Sequence, residues 1–170
     1  MRMADCRVGQ VPGQVLATYS LGSCIGLAVY DSTAAVGGLL HFMLPDSEID
    51  PARGRDNPYM FADTGIPLLL GRVCDLGASK RRLSAYAVGG AQMMDPCGVF
   101  AIGKKNYLAT RKILWKAGVL LTGEIVGGDV WRTLRLEIAS GRLWLQEGGG
   151  QREIMAAQPQ KGMNPWRIVC

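Results

Sequence analysis

Two short apolar runs constrain this chain more than any other feature. They are Cys24–Tyr30 (CIGLAVY) and Gly37–Met43 (GGLLHFM), separated by the turn-like stretch DSTAAV. Both are rich in the β-branched, aromatic and other apolar residues that suit strands, and Pro45 closes the second. The spacing predicts a β-hairpin. A loop over 31–36 sets Tyr30 opposite Gly37 and Gly26 opposite His41. Side chains alternate faces along a strand, so Cys24 and Gly26 then share a face with His41. Cys24 becomes the diagonal neighbour of His41, about 7–8 Å away at the backbone. A loop one residue shorter or longer would put the two on opposite faces.

His41 is the only histidine in the chain, so any chemistry that needs an imidazole must use it. A thiolate is the reactive form of cysteine, and an adjacent imidazole can take the thiol proton and hold the pair as ions. A third group must then orient the ring. The Thr18 hydroxyl or a backbone carbonyl can do this. Backbone N–H groups of the turn at Ser23 and Cys24 are candidates for an oxyanion hole. Taken singly, Cys24 reads first as a buried core thiol, His41 as a satisfied imidazole on a half-buried strand, and Thr18 as an ordinary strand residue.

The rest of the chain alternates strand-like and helix-like segments. Strands are expected from 14 to 30. The polar, Pro- and Gly-bearing stretch 46–58 reads as a loop lying near the hairpin's end. A helix is expected over 62–78, capped by Asp63 or Thr64, with Leu68, Leu69, Val73 and Leu76 inward and Gly77 at its end. A strand follows over 83–91, then a helix over 105–118 with Tyr107, Leu108, Ile113 and Leu114 on its apolar face and Gly118 at its C-terminus. VLLTGEIVGG supplies another strand, and RTLRLEIASGRLWLQ a hairpin around ASGR. The segment 148–170 has little periodicity and reads as a loose tail. The fold class is therefore α/β: a single-domain α/β sandwich with mixed, mainly antiparallel sheets flanked by two main helices. The domain is expected over 1–147.

Composition narrows the remaining classes. The chain has 170 residues, enough for one domain with a proper core. No apolar run reaches the roughly 20 residues that span a bilayer, so direct membrane insertion is not expected. MRMADCRVGQ has no apolar core of a signal peptide, and the expected location is cytoplasmic. The five cysteines (6, 24, 74, 97 and 170) are odd in number and form no CxxC pair, against both a disulfide framework and a zinc ribbon. The net charge of +5 is concentrated in SKRRLS, GKKN and TRK. Lys80, Arg81, Arg82, Lys104 and Lys105 are thus candidates to meet an acidic partner. No zinc-finger or RNA-binding signature accompanies them, so nucleic acid is not the expected partner.

Several motifs in order carry a resemblance. TYSLGSCIGLAVYD…GGLLHFMLP, YMFADTGIPLLL, VGGAQMM, AIGKKN and EIVGGDVWRTLRLEIASGRLWL resemble, one after another, the segments of the CheD family of chemoreceptor glutamine deamidases. The similarity runs from about Val15 to Leu145. It implies Cys24 as nucleophile, His41 as catalytic base and Thr18 as the residue that orients His41. It implies conversion of receptor glutamines to glutamates through a thioester, with no metal or organic cofactor. The implied substrates are the cytoplasmic helices of methyl-accepting chemotaxis receptors, and the implied partner is the phosphatase CheC. Two other functions are open: methylesterase action on the same receptors, and a non-catalytic adaptor that binds receptors or CheC. The chain departs from the family pattern before Arg132-Thr133, where Asp129-Val130-Trp131 stands in place of an Asn-Tyr-Gly-like segment.

Overall fold

The computed structural model describes residues 1–92 and 101–155. Cys97 and Cys170, the end of the VGGAQMM motif and most of the expected tail lie outside them.

The hairpin forms with the expected register. β3 (Ile25–Asp31) pairs antiparallel with β4 (Val36–Phe42), placing Gly26 opposite His41 and Tyr30 opposite Gly37. Both strands are buried along their whole length. Their near-continuous apolar sequence follows from that, because each strand is covered on both faces. β1 (Asp5–Gly9) adds to the far side of β4, which sets Asp5 beside His41. β5 (Ser84–Gly89) pairs antiparallel with β3, and β6 (Leu120–Val126) pairs parallel with β5. The five-stranded sheet has the order β1-β4-β3-β5-β6.

A second, antiparallel sheet has the order β2-β7-β8-β9, from β2 (Val15–Leu21), β7 (Arg132–Glu137), β8 (Leu143–Glu147) and β9 (Gly150–Met155). Leu16, Leu21, Leu39, Val88, Leu134 and Leu145 are among the side chains buried between the sheets. The other face of the large sheet carries α2 (Ala62–Asp75) and α3 (Ile102–Ala117), over a core that includes Ile25, Leu27, Leu40, Ile66, Leu69 and Leu114. Layers of sheet, sheet and helices give the expected α/β sandwich.

Several local expectations are corrected. β9 pairs with β8, so 150–155 is an edge strand and not part of a loose tail. Its own side chains are mostly exposed, which hid it from hydrophobic patterning. The loop 46–58 contains a one-and-a-half-turn helix α1 (Pro51–Asp56), started by the Asp50 carboxylate accepting from Arg53 N–H. The loop does return to the hairpin's end, where Met43 and Leu44 N–H donate to the Met60 carbonyl.

Neither Asp63 nor Thr64 caps α2. Phe61 occupies that position without a side-chain cap, Asp63 accepts from the Ser47 amide and hydroxyl, and Thr64 donates to the Pro58 carbonyl. Leu68 points outward. α3 begins three residues earlier than expected, and its buried face is Gly103, Asn106, Thr110 and Leu114. Leu108, expected inward, is exposed. A small and polar face turned inward runs against simple amphipathic patterning. It follows from what the helix sits on: the Gly90 backbone and the Ser23 and Met43 carbonyls.

Candidate active site

One end of the large sheet gathers the candidate residues. β3 starts there with Cys24 just before it, β4 ends there with His41, and β5 ends there at Gly89. β2 belongs to the other sheet, yet its Thr18 reaches across the gap between layers. Thr18 Oγ1 and His41 Nδ1 lie 2.7 Å apart and hydrogen-bond, and both residues are fully buried. Gly26 makes room for this approach. A Cβ there would come 2.8 Å from Leu21 Cδ1 and 3.4 Å from Thr18 Cγ2. The half-buried Cys24 packs against the same inter-sheet layer. Thiol, imidazole and hydroxyl thus share one face, as the hairpin register requires.

The turn that carries Cys24 is held by its carbonyls. Gly22 O accepts from Ala91 N–H at 2.8 Å, Cys24 O from Gly90 N–H at 2.9 Å, and Ser23 O from Asn106 Nδ2 at 3.0 Å. Gly89 has φ of 120°, and a Cβ there would collide with Cys24 O, so only glycine fits. Gly103, the second residue of α3, packs against the Gly90 carbonyl with no space for a side chain. The buried Arg132 donates to Gly127 O at 2.7 Å and pairs with Glu147 at 2.8 Å, fastening the neighbouring glycine turn. Exposed Trp131 leans on Gly22, where a Cβ would come 2.8 Å from its ring.

The electrostatics correct one expectation. A preformed thiolate–imidazolium pair would lower the thiol pKa and raise that of the imidazole. Burial instead pushes the Cys24 thiol up, opposed by its own backbone N–H. Burial, helped by the N-terminal ammonium, pushes His41 down to about 4, with Asp5 opposing. Both shifts favour neutral forms because a dry site penalises charge. Near pH 7 His41 is a neutral imidazole. Its Nε2 is buried and has no hydrogen-bond partner among the described residues.

The basic candidates separate. Arg82 makes a forked ion pair to the fully buried Asp31 carboxylate, at 2.7 Å through its Nη2. Asp31 also accepts from the Ser79, Thr33 and Ala34 amides. Arg82 is thus committed to holding the fold. Asp31 is the last residue of β3, and at roughly 3.3 Å per residue the 80–82 turn lies about 20 Å from Cys24. Lys80 and Arg81 share that turn and are exposed. Lys104 and Lys105, in contrast, start α3 at the Cys24 end, and Lys104 borders a crevice of about 270 Å³ with Gly90, Gly103 and Gly128. Among the described residues no three His, Cys, Asp or Glu side chains gather as a metal site.

Asn106, Gly89 and Gly103 were not singled out by sequence reasoning about chemistry. The available signal was their place in the VGGAQMM and AIGKKN motifs, since the expected helix start at 105 left Asn106 near a helix N-terminus, where asparagine is ordinary.

An α/β sandwich that sets a thiol, a neutral imidazole and a hydroxyl hydrogen-bonded to that imidazole on one face, beside a glycine-built turn, defines a candidate cysteine hydrolase. Comparison with known proteins narrows this class. The family model described as CheD chemotactic sensory transduction matches residues 43–147. A probable chemoreceptor glutamine deamidase CheD from Solibacter usitatus is 70% identical, over 95% of this chain and 96% of its own length. Relatives of the same description from Syntrophus aciditrophicus and Pyrococcus horikoshii are 47% and 42% identical, over 87% and 85% of this chain and 92% and 89% of their own lengths. The chain belongs to the CheD family.

Proposed function

We propose that the protein is a protein-glutamine deamidase that converts glutamine side chains of chemoreceptors to glutamates, with Cys24 as nucleophile. The observation that carries this reading is the buried Thr18–His41 hydrogen bond on the face that Cys24 shares. In the reactive tautomer His41 Nδ1–H donates to Thr18 Oγ1, which leaves the Nε2 lone pair to take the Cys24 proton. The pair is neutral at rest, so proton transfer accompanies attack instead of preceding it. Cys24 Sγ bonds to the γ-carboxamide carbon, and the oxyanion meets the backbone N–H groups of Ser23 and Cys24. The C–N bond breaks as His41 protonates the leaving ammonia. His41 then takes a proton from water, the hydroxyl adds to the thioester, and glutamate and the Cys24 thiol are released.

The substrates on this reading are the cytoplasmic helices of chemotaxis receptors, which places the protein in the cytoplasm. Among the described residues no helix is long and apolar enough to cross a membrane. Lys104 and Lys105 are the basic residues placed to meet an acidic receptor face beside Cys24. The Lys80–Arg81 turn, far from Cys24, is a surface for a partner such as CheC.

The test is mass spectrometry of a receptor fragment incubated with wild-type and Cys24→Ser protein, with ammonia and methanol both measured. Amide-to-acid conversion at glutamine with ammonia release, by wild type only, is the expected result. Equal conversion by Cys24→Ser would overturn the mechanism. Methanol release from methylated receptor without ammonia would replace it with esterase action.

A further inference from the structure

Asn106 is fully buried in the second turn of α3. Its Nδ2 donates to Ser23 O at 3.0 Å and to Met43 O at 2.8 Å. The first carbonyl directly precedes the nucleophile, and the second follows the His41 strand by one residue. Both partners are acceptors, so the amide group has one orientation only. Its Oδ1, buried as well, has no hydrogen-bond partner among the described residues. An asparagine is a poor helix former, and a buried unpaired carbonyl opposes folding. An aliphatic residue would suit α3 better if packing alone mattered. The side chain therefore has a geometric task that justifies its presence.

The peptide unit defines that task. Ser23 C=O and Cys24 N–H belong to one planar trans peptide and point in opposite directions. Fixing the carbonyl toward α3 aims the Cys24 N–H away from α3. The same side chain ties this peptide to the end of the strand that holds His41. Gly103 lets α3 approach closely enough for Asn106 to span both. Since the inner face of α3 must seat on a glycine turn and on two carbonyls, it is small and polar there.

We propose that Asn106 is a positioning residue for the deamidation: it sets the Ser23–Cys24 peptide plane, and with it the oxyanion donor and the nucleophile, relative to His41. This rests on the deamidase reading above. Its action is exerted through the backbone, on the reacting geometry and not on substrate affinity. Misplacing reacting groups by about 1 Å costs roughly a hundredfold in rate.

The experiment compares wild type, Asn106→Ala, Asn106→Ser and Leu114→Ala. Leu114 is a buried core residue of α3, eight residues beyond Asn106, and controls for loosened helix packing. Steady-state deamidation of a receptor fragment gives kcat and KM, thermal melts give stability, and hydrogen-exchange mass spectrometry reads residues 21–26. The Asn106 variants are expected to lose tenfold or more in kcat with KM within twofold, and to lose exchange protection over 21–26. Leu114→Ala is expected to keep kcat and that protection well below its melting temperature. Unchanged kcat in the Asn106 variants, a rise in KM alone, or equal kcat losses in Leu114→Ala at matched stability would overturn the proposal. Unchanged protection over 21–26 would overturn it even if wild type proved to lack deamidase activity, the separate failure of the functional reading.

Discussion

Acid should destabilise this protein in part through His41, and that part can be isolated. Its folded-state pKa is lowered from an ordinary 6.5 to about 4 by burial and by the nearby N-terminal ammonium, with Asp5 opposing. Between these values the unfolded chain binds a proton at this site and the folded chain does not. Unfolding therefore takes up a proton, and stability rises with pH across the window. The contribution is fully present above about pH 6.5 and is lost as pH falls toward 4. At about 1.4 kcal/mol per pKa unit, the full difference is about 3 kcal/mol. That is a large fraction of the 5–15 kcal/mol typical of a domain. Carboxylates lowered by their partners, such as Asp31 and Glu147, weaken the fold further in acid. They are common to wild type and variant and cancel in a difference. Urea unfolding of wild type and His41→Gln at intervals from pH 7.5 to 4 isolates the effect. Wild type minus variant stability should shrink by about 3 kcal/mol as pH falls, because glutamine does not titrate. Parallel curves would refute the assignment of His41 as a desolvated, neutral imidazole, and with it the argument that the Cys24–His41 pair rests uncharged.

Two shorter predictions follow from the same geometry. Thr18→Val keeps the shape of the side chain and leaves His41 Nδ1 without its partner; it should cost about 1–3 kcal/mol in urea unfolding. It should also lower kcat for deamidation more than tenfold with little change in KM, whereas an unchanged kcat would remove Thr18 from the site. Asp31→Ala removes the forked pair to Arg82 and three backbone hydrogen bonds at the opposite end of β3. It should destabilise by roughly 2–4 kcal/mol while kcat at a temperature well below melting stays within twofold, since Asp31 lies about 20 Å from Cys24.

Much of the site was legible because β structure converts spacing into geometry. The period of two, with a loop over 31–36, is enough to put Gly26 opposite His41 and Cys24 on the same face. The order of strand-like and helix-like segments likewise led to an α/β sandwich. Misjudged features have identifiable causes. β9 has an exposed sequence and exists as a strand because β8 offers it an edge. The caps expected from Asp63 and Thr64 fail because both side chains have tertiary partners, Ser47 and the Pro58 carbonyl. Arg82, a candidate from its charge cluster to meet an acidic partner, is instead paired with a buried carboxylate from a distant strand.

By itself, then, the sequence determined the hairpin and, for a loop over 31–36, a register that sets its only imidazole and one thiol on a shared face; the structure fixed that register. These rest on contacts between neighbouring segments, which local patterning controls. Tertiary structure decided what that pair is. It brought Thr18 from a different sheet to within 2.7 Å of His41 and set Asn106 between the Cys24 turn and the His41 strand. It also dried the site, so that burial, a property of all the layers together, leaves the thiol and imidazole neutral where their chemistry alone suggested an ion pair.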